Sequence, residues 1–147
     1  MEYTECLTLF ESMKNSLSPI SEVIHCLVLN CYSHSGRPLD ALYLFAAIPS
    51  EHRLNPRIIT AVIDAMARSG HLDAAENIYT EHAEPGNTIH HRFKMNMLLS
   101  ILSQCRRHDD LSRGQRIFEK MKRMEAEHGM DDEVRSSMHS LMNSLRA

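Results

Sequence analysis

The sequence predicts an all-α protein, an open α-solenoid of antiparallel helix-turn-helix repeats of about 35 residues, and three observations carry that prediction. First, Ser69-Gly70-His71-Leu72-Asp73-Ala74-Ala75-Glu76-Asn77-Ile78-Tyr79 has a near copy 34 residues earlier, at Ser35 to Phe45, and the pattern recurs at Tyr3 to Met13 and Leu111 to Met121. Second, the four copies align in columns. Cys6, Ala41, Ala75 and Gly114 are small, and four residues on stand Phe10, Phe45, Tyr79 and Phe118, spaced by 35, 34 and 39 residues. Third, Leu9, Leu44, Ile78 and Ile117, with Met13, Ile48, His82 and Met121, complete an apolar set at i, i+3, i+4 and i+7, the stripe of an amphipathic helix. A small residue lets two helix backbones approach, and a ring one turn later fills the space beside the contact.

Taken in order, residues 3–14 read as the second helix of a repeat without its first. Ser18-Pro19 looks like an N-cap with proline in the first turn, opening a helix over about 19–34 whose buried face is Val23, Ile24, Leu27, Val28, Cys31 and Tyr32. Ser35-Gly36 ends it, and a partner runs from Pro38 to Ile48. Asn55-Pro56 repeats the cap before Ile58, Ile59, Val62, Ile63 and Met66, Ser69-Gly70 closes that helix, and Leu72 to about Ala83 forms its partner. Glu84-Pro85-Gly86-Asn87 is a turn. The next junction is about four residues longer, which predicts an N-terminally extended helix through Phe93, Met97, Leu98, Ile101, Leu102 and Cys105. Asp109-Asp110 caps a helix from Leu111 to about Ala126, Gly129 breaks it, and Asp131-Asp132-Glu133 opens a last helix through Val134, Met138, Leu141, Met142 and Leu145. The expected organisation of residues 1–147 is a single domain: a partial repeat over 1–18, repeats at about 19–55, 56–94 and 95–130, and a partial repeat over 131–147. Seven helices are expected, six of them in three stacked pairs from about Pro19, the first being an orphan that packs on residues 19–34.

Composition narrows the function classes. Apolar residues make up 43% of 147 and charged residues 24%, which fits an ordered chain. Net charge is −3, yet residues 1–83 hold 5 Lys and Arg against 10 Asp and Glu, whereas Arg92 to Arg123 hold 9 against 3. The basic end is thus the third repeat with the residues leading into it, read either as a phosphate-facing patch, at Arg92, Lys94, Arg106 and Arg107, or as a solvated helix face. Four cysteines without a CxxC pair suggest buried thiols, not a disulfide framework or zinc site. The acidic start shows no targeting peptide, and no apolar run reaches membrane-spanning length. Ten histidines lack the HExxH or HxE…CxxC spacing of a hydrolase or zinc deaminase, and the acidic clusters sit at helix starts. No catalytic residue, metal, cofactor, membrane contact or small-molecule substrate is expected.

The residues resemble the pentatricopeptide repeat family. The resemblance lies in Tyr32-Ser-His-Ser-Gly-Arg with Asp40-Ala-Leu-Tyr-Leu-Phe45, in Ile63 to Ala75, and in Ile117-Phe-Glu-Lys-Met-Lys122, echoed by Leu9-Phe-Glu-Ser-Met-Lys14. The similar tetratricopeptide repeat prefers small residues where this chain has Leu29, Ile63 and Leu102 and where it has Met13, Ile48, His82 and Met121. The resemblance implies a superhelix that binds single-stranded RNA on its first helices, in mitochondria or another organelle, reading one base per repeat with two or three side chains. Carried over, it implies base-facing roles for Cys26, Thr60 and Leu99, stacking roles for Val23, Arg57 and Asn96, and partner roles for Asn55 and Lys94. Of these, Thr60 and Asn55 are types the family commonly uses there, while Cys26, Leu99 and Lys94 depart from its pattern. Expected partners are RNA, single-stranded or ribosomal, and other proteins of a ribonucleoprotein complex. The alternative is a scaffold within a mitochondrial ribonucleoprotein that acts through protein contacts.

Overall fold

The computed structural model describes residues 2–14, 21–86 and 88–147, and among these it is all helix and connection, with no strand. Eight α-helices follow one another: α1 (Glu2–Lys14), α2 (Glu22–His34), α3 (Pro38–Ala47), α4 (Pro56–Arg68), α5 (Leu72–Ile78), α6 (His91–Arg107), α7 (Leu111–His128) and α8 (Asp132–Arg146). The expected count of seven left out the terminal helix, so an unpaired helix stands at each end. A 3-10 turn, His52–Leu54, precedes α4, and α5 passes into a π-helical turn, Tyr79–Ala83.

Helix boundaries follow local chemistry. Asn55 caps α4, its Oδ1 accepting from the Arg57 N–H at 2.9 Å, with Pro56 at the first helical position. The Ser18-Pro19 start expected for α2 lies outside the described residues. The helix opens instead at Glu22, where the Ser21 hydroxyl oxygen accepts from the Ile24 N–H at 3.3 Å. One turn is used three times between first and second helices. The N–H groups of Arg37, His71 and Asp110 each reach back 2.9 Å, to the carbonyls of Tyr32, Met66 and Cys105. The residue before each donor takes positive φ, Gly36 at 66°, Gly70 at 85° and Asp109 at 56°, a place that glycine fills without strain and aspartate tolerates. α6 has 17 residues against 13 in α2 and α4, the extension that the long junction predicts.

The first helices α2, α4, α6 and α8 stack in sequence, and each second helix packs on the first helices beside it. The column residues are the seams of this stack. Ala41, Ala75 and Gly114 are buried, as are Phe10, Phe45, Tyr79 and Phe118. A Cβ built on Gly114 would collide with Leu145 Cδ2 of α8, so a larger residue there would require the Leu145 side chain to move. Leu29, Ile63 and Leu102 are fully enclosed. Two expectations at the N-terminal end fail together. Leu9 is 63% exposed where its counterparts Ile78 and Ile117 are 7% and 1%, and Val23 and Leu27 are 67% and 55% exposed. No earlier first helix covers α1 and α2 among the described residues, and the buried side of α2 turns to Val28, Leu29, Tyr32 and His25.

Ala75→Leu should rank among the most disruptive substitutions, costing about 1–3 kcal/mol by overpacking, and Tyr79→Ala about 3–5 kcal/mol by leaving a cavity. Thermal melts of both variants check this, and a neutral result for either would place the column outside the core.

A second expectation concerns pH. His25 is buried, its Nδ1 has no partner, and the His52 ring lies 6.0 Å away. Burial, then the His52 charge, hold its pKa below the ordinary 6.5, with Glu22 acting the other way. The unfolded chain therefore takes up this proton more readily, and the stability at stake is complete above pH 6.5 and lost as pH falls toward the folded value. The melting temperature should fall between pH 8 and 5.5, and His25→Leu should flatten that fall.

Candidate nucleic-acid interface

A shared face of the first helices forms the candidate site. On α4, Arg57, Thr60, Asp64 and Arg68 recur at the three-and-four spacing of one helix side, as do Arg92, Asn96, Leu99, Ser100, Ser103 and Arg107 on α6. Between α4, α6 and α8 this face encloses a groove of about 750 Å³, lined by Asp64, Arg68, Asn96, Leu99, Gln104, Leu141 and five serines, Ser100, Ser103, Ser136, Ser137 and Ser140. A second hollow of about 450 Å³ continues it past Arg92, Asn96 and Leu99 to Asp131 and Glu133.

Each expected residue has a definite place. Val23 is exposed on α2. Cys26 is half-buried, its thiol 3.8 Å from the Arg57 carbonyl and 4.0 Å from the Asn30 amide, and burial raises its pKa. Thr60 turns its hydroxyl back to the Pro56 carbonyl at 2.7 Å, and the Asn55 amide donates to Glu22 at 3.1 Å while its oxygen caps α4. Both polar tips are thus engaged within the fold. Asn96 and Leu99 both lie in the groove. Arg57, Arg92, Arg106 and Arg107 are exposed and have no ion-pair partner among the described residues. Lys94 departs from the set. Its ammonium donates to the carbonyls of Glu84 and Gly86 at 3.3 and 3.5 Å, on the side of α6 opposite the groove.

The basic cluster of residues 92–123 is divided by the fold. Arg113 of α7, with its side chain 14% exposed, bonds Asp73 and Glu76 of α5 and, at 3.0 Å, Asp110. Arg116 reaches Glu76 at 3.0 Å and Lys120 reaches Glu84 at 3.3 Å. Arg113 and Arg116 thus tie α7 to α5, and Lys120 ties it to the segment after the π-helical turn.

Asp64 was not legible as a site residue. Its Oδ2 accepts from the Ser33 hydroxyl of α2 at 3.0 Å and from Arg68 Nε at 2.8 Å, while Oδ1 accepts from the Ser100 hydroxyl of α6 at 3.3 Å. One carboxylate thereby links three successive first helices across the groove. Only the recurrence of a polar residue on the otherwise apolar α4 could have signalled it. Among the described residues no three of His, Cys, Asp and Glu stand close enough to hold a metal, and no helix is long and apolar enough to cross a membrane.

The known proteins similar to this chain agree with that architecture. A family model described as PPR repeat matches residues 23–51 and 58–81. Those two stretches of the chain are similar to pentatricopeptide repeats. A pentatricopeptide repeat-containing protein of Arabidopsis thaliana is 28% identical over 126 residues, 84% of this chain and 16% of that protein. A second from the same plant, named as mitochondrial, is 27% identical over 146 residues, 97% of this chain and 17% of its own length. A third, named as chloroplastic, is 29% identical over 105 residues, covering 69% and 16%. The chain thus spans under a fifth of these relatives. The two matched repeats hold α2 with α3 and α4 with α5, and both begin in the turn of first helix that carries Val23 and Arg57.

Asp64→Ala should remove the acceptor of Ser33, Ser100 and Arg68 and destabilise the stack by about 1 kcal/mol, the low end for broken hydrogen bonds because water enters the groove. Denaturant titration checks it, with Asp64→Asn expected to retain part of the stability that alanine forfeits.

Proposed function

We propose that the chain binds single-stranded RNA along the groove face of α2, α4, α6 and α8 and acts in organellar RNA metabolism as a binding protein without catalytic activity. The observation that carries this reading is the groove between α4, α6 and α8, polar and lined by Asn96, Leu99 and serines, with unpaired arginines at its margins. Pentatricopeptide repeats supply the family reason, and relatives named as mitochondrial and chloroplastic supply the compartment. Phosphates would be drawn to Arg92, Arg106 and Arg107, whose neutralisation of the strand releases counterions. Bases would rest among Val23, Arg57, Thr60, Asn96 and Leu99, with the Arg57 guanidinium able to stack on a ring. Hydroxyls and amides in the groove offer both donors and acceptors to base edges and to the 2′-hydroxyl.

Filter binding to single-stranded RNA over a salt series tests the proposal. Removing one phosphate-neutralising cation should reduce the slope of log affinity against log salt by about one unit, so the double variant Arg106→Glu with Arg107→Glu should reduce it by about two. Arg57→Glu should weaken binding beyond its charge, and Lys14→Glu, at the end of α1, should change little. Equal effects from all three, or no binding by the parent chain, would transfer the role to protein contacts within a ribonucleoprotein.

A further inference from the structure

A different pocket opens on the other side of the stack, between the π-helical turn, the first turn of α6 and the second half of α7, with a volume of about 340 Å³. Five side chains that carry or can acquire positive charge line it: His91 and Lys94 from α6, and Lys120, Arg123 and His128 from α7. The carboxylates of Glu84 and Glu127 face them, and Tyr79 with Met124 supplies apolar wall. With both histidines neutral the pocket holds three cations against two acids, and with both protonated it holds five. Elsewhere on α7, Arg113 and Arg116 are bound to carboxylates and Lys122 lies over the Phe118 ring. Here positive charge is in surplus.

The fold assembles this surplus by an irregularity. The Glu84 N–H donates to the Tyr79 carbonyl at 2.9 Å, closing the wide π turn, a feature frequent at functional sites. The chain beyond it crosses the start of α6, where the carbonyls of Glu84 and Gly86 hold the Lys94 ammonium at the pocket. The His91 and His128 rings stack at 5.0 Å with 12° between their planes, and His90 lies 4.2 Å from His91.

We propose that this pocket binds a phosphate dianion, either free or as the terminal monoester of a nucleic acid. A monoester carries close to two negative charges near neutrality and three strong acceptor oxygens, which suits a convergent set of ammonium, guanidinium and imidazole donors. An internal phosphodiester carries one charge, and the groove on the opposite side of α6 is where a strand's interior would run. Glu84, joined to Lys120 at 3.3 Å and exposed, is the internal competitor that the anion displaces. Binding also takes up protons. Burial, then His90 and His128, with Arg92 in the same sense and Asp131 against them, keep His91 below its ordinary pKa. Lys94, Lys120, Arg123, Glu84 and Glu127 complete its charged surroundings, and a dianion among them favours the imidazolium.

The test is a titration of the full chain with inorganic phosphate, and with sulfate as a dianion of constant charge, at fixed ionic strength, read by NMR on the His91 and His128 rings. Saturable shifts with a midpoint of about 1 mM are expected. Lys120→Gln with Arg123→Gln should raise that midpoint about tenfold, and Glu84→Gln should lower it severalfold, a gain that unfolding cannot mimic. Sulfate should bind about tenfold more tightly at pH 6 than at pH 8. Shifts that never saturate, that are the same in the Lys120→Gln, Arg123→Gln protein, or that weaken with Glu84→Gln would overturn the proposal. An oligonucleotide with a 5′-phosphate, compared with its 5′-hydroxyl twin, identifies the source: a preference assigns a nucleic-acid end, and equality assigns free phosphate. Since the ion titrations contain no RNA, their outcome is independent of the groove reading.

Discussion

The close approach of helices at Ala41, Ala75 and Gly114 is the constraint on which the rest of the structure depends. At these positions the second helix presents a methyl group or a bare Cα, and side chains of the neighbouring helices, Leu102, Cys105 and Leu145, close in on Gly114. Small residues let the layers pack closely, and the rings of Phe45, Tyr79 and Phe118 are buried one turn along. The same packing brings the first helices side by side, and the groove lies between α4, α6 and α8.

What the sequence disclosed, and what it concealed, divides along the range of the interactions. Column residues, caps and the positive-φ turns are local or periodic, and Asn55, Gly70 and Ala75 do what their spacing implies. The exposure of Val23 and Leu27 was hidden because periodicity shows which residues share a face and says nothing of whether a neighbour covers it. Lys94 and Asn96 stand two residues apart on α6, which turns a side chain through about 200°, so the spacing alone does not tell which of them shares the groove. Asp64 was hidden because its partners are 31 and 36 residues distant. The clustered charge of residues 92–123 suggested one patch, whereas Arg92 lies on the groove side, Lys94 joins Lys120 and Arg123 of α7 at another pocket, and Arg113, Arg116 and Lys120 are paired with carboxylates. Only a folded arrangement separates a charge that attracts a strand from one that fastens two helices.

The π-helical turn at Tyr79–Ala83 also has no sequence signature. A reading that places one regular helix over 72–83 has the right element and the wrong last turn. The residues that lengthen this repeat go into α6, which is four residues longer than α4, and the columns of α7 return to register after it.

The tie between α5 and α7 has a mechanical consequence. Arg113 and Arg116 join two outer helices across a repeat boundary, and Asp64 joins three inner ones, whereas among the described residues α1 packs chiefly on α2, with Leu9 uncovered. In a quasi-one-dimensional array, where stability is a sum of nearest-neighbour terms, such uneven coupling makes the chain behave as a zipper with a locked segment and a loose end. Cooperative opening then starts at α1 and stalls at the α4 to α7 block, so a strand lying across the whole face would sit partly on a yielding edge and partly on a rigid anvil.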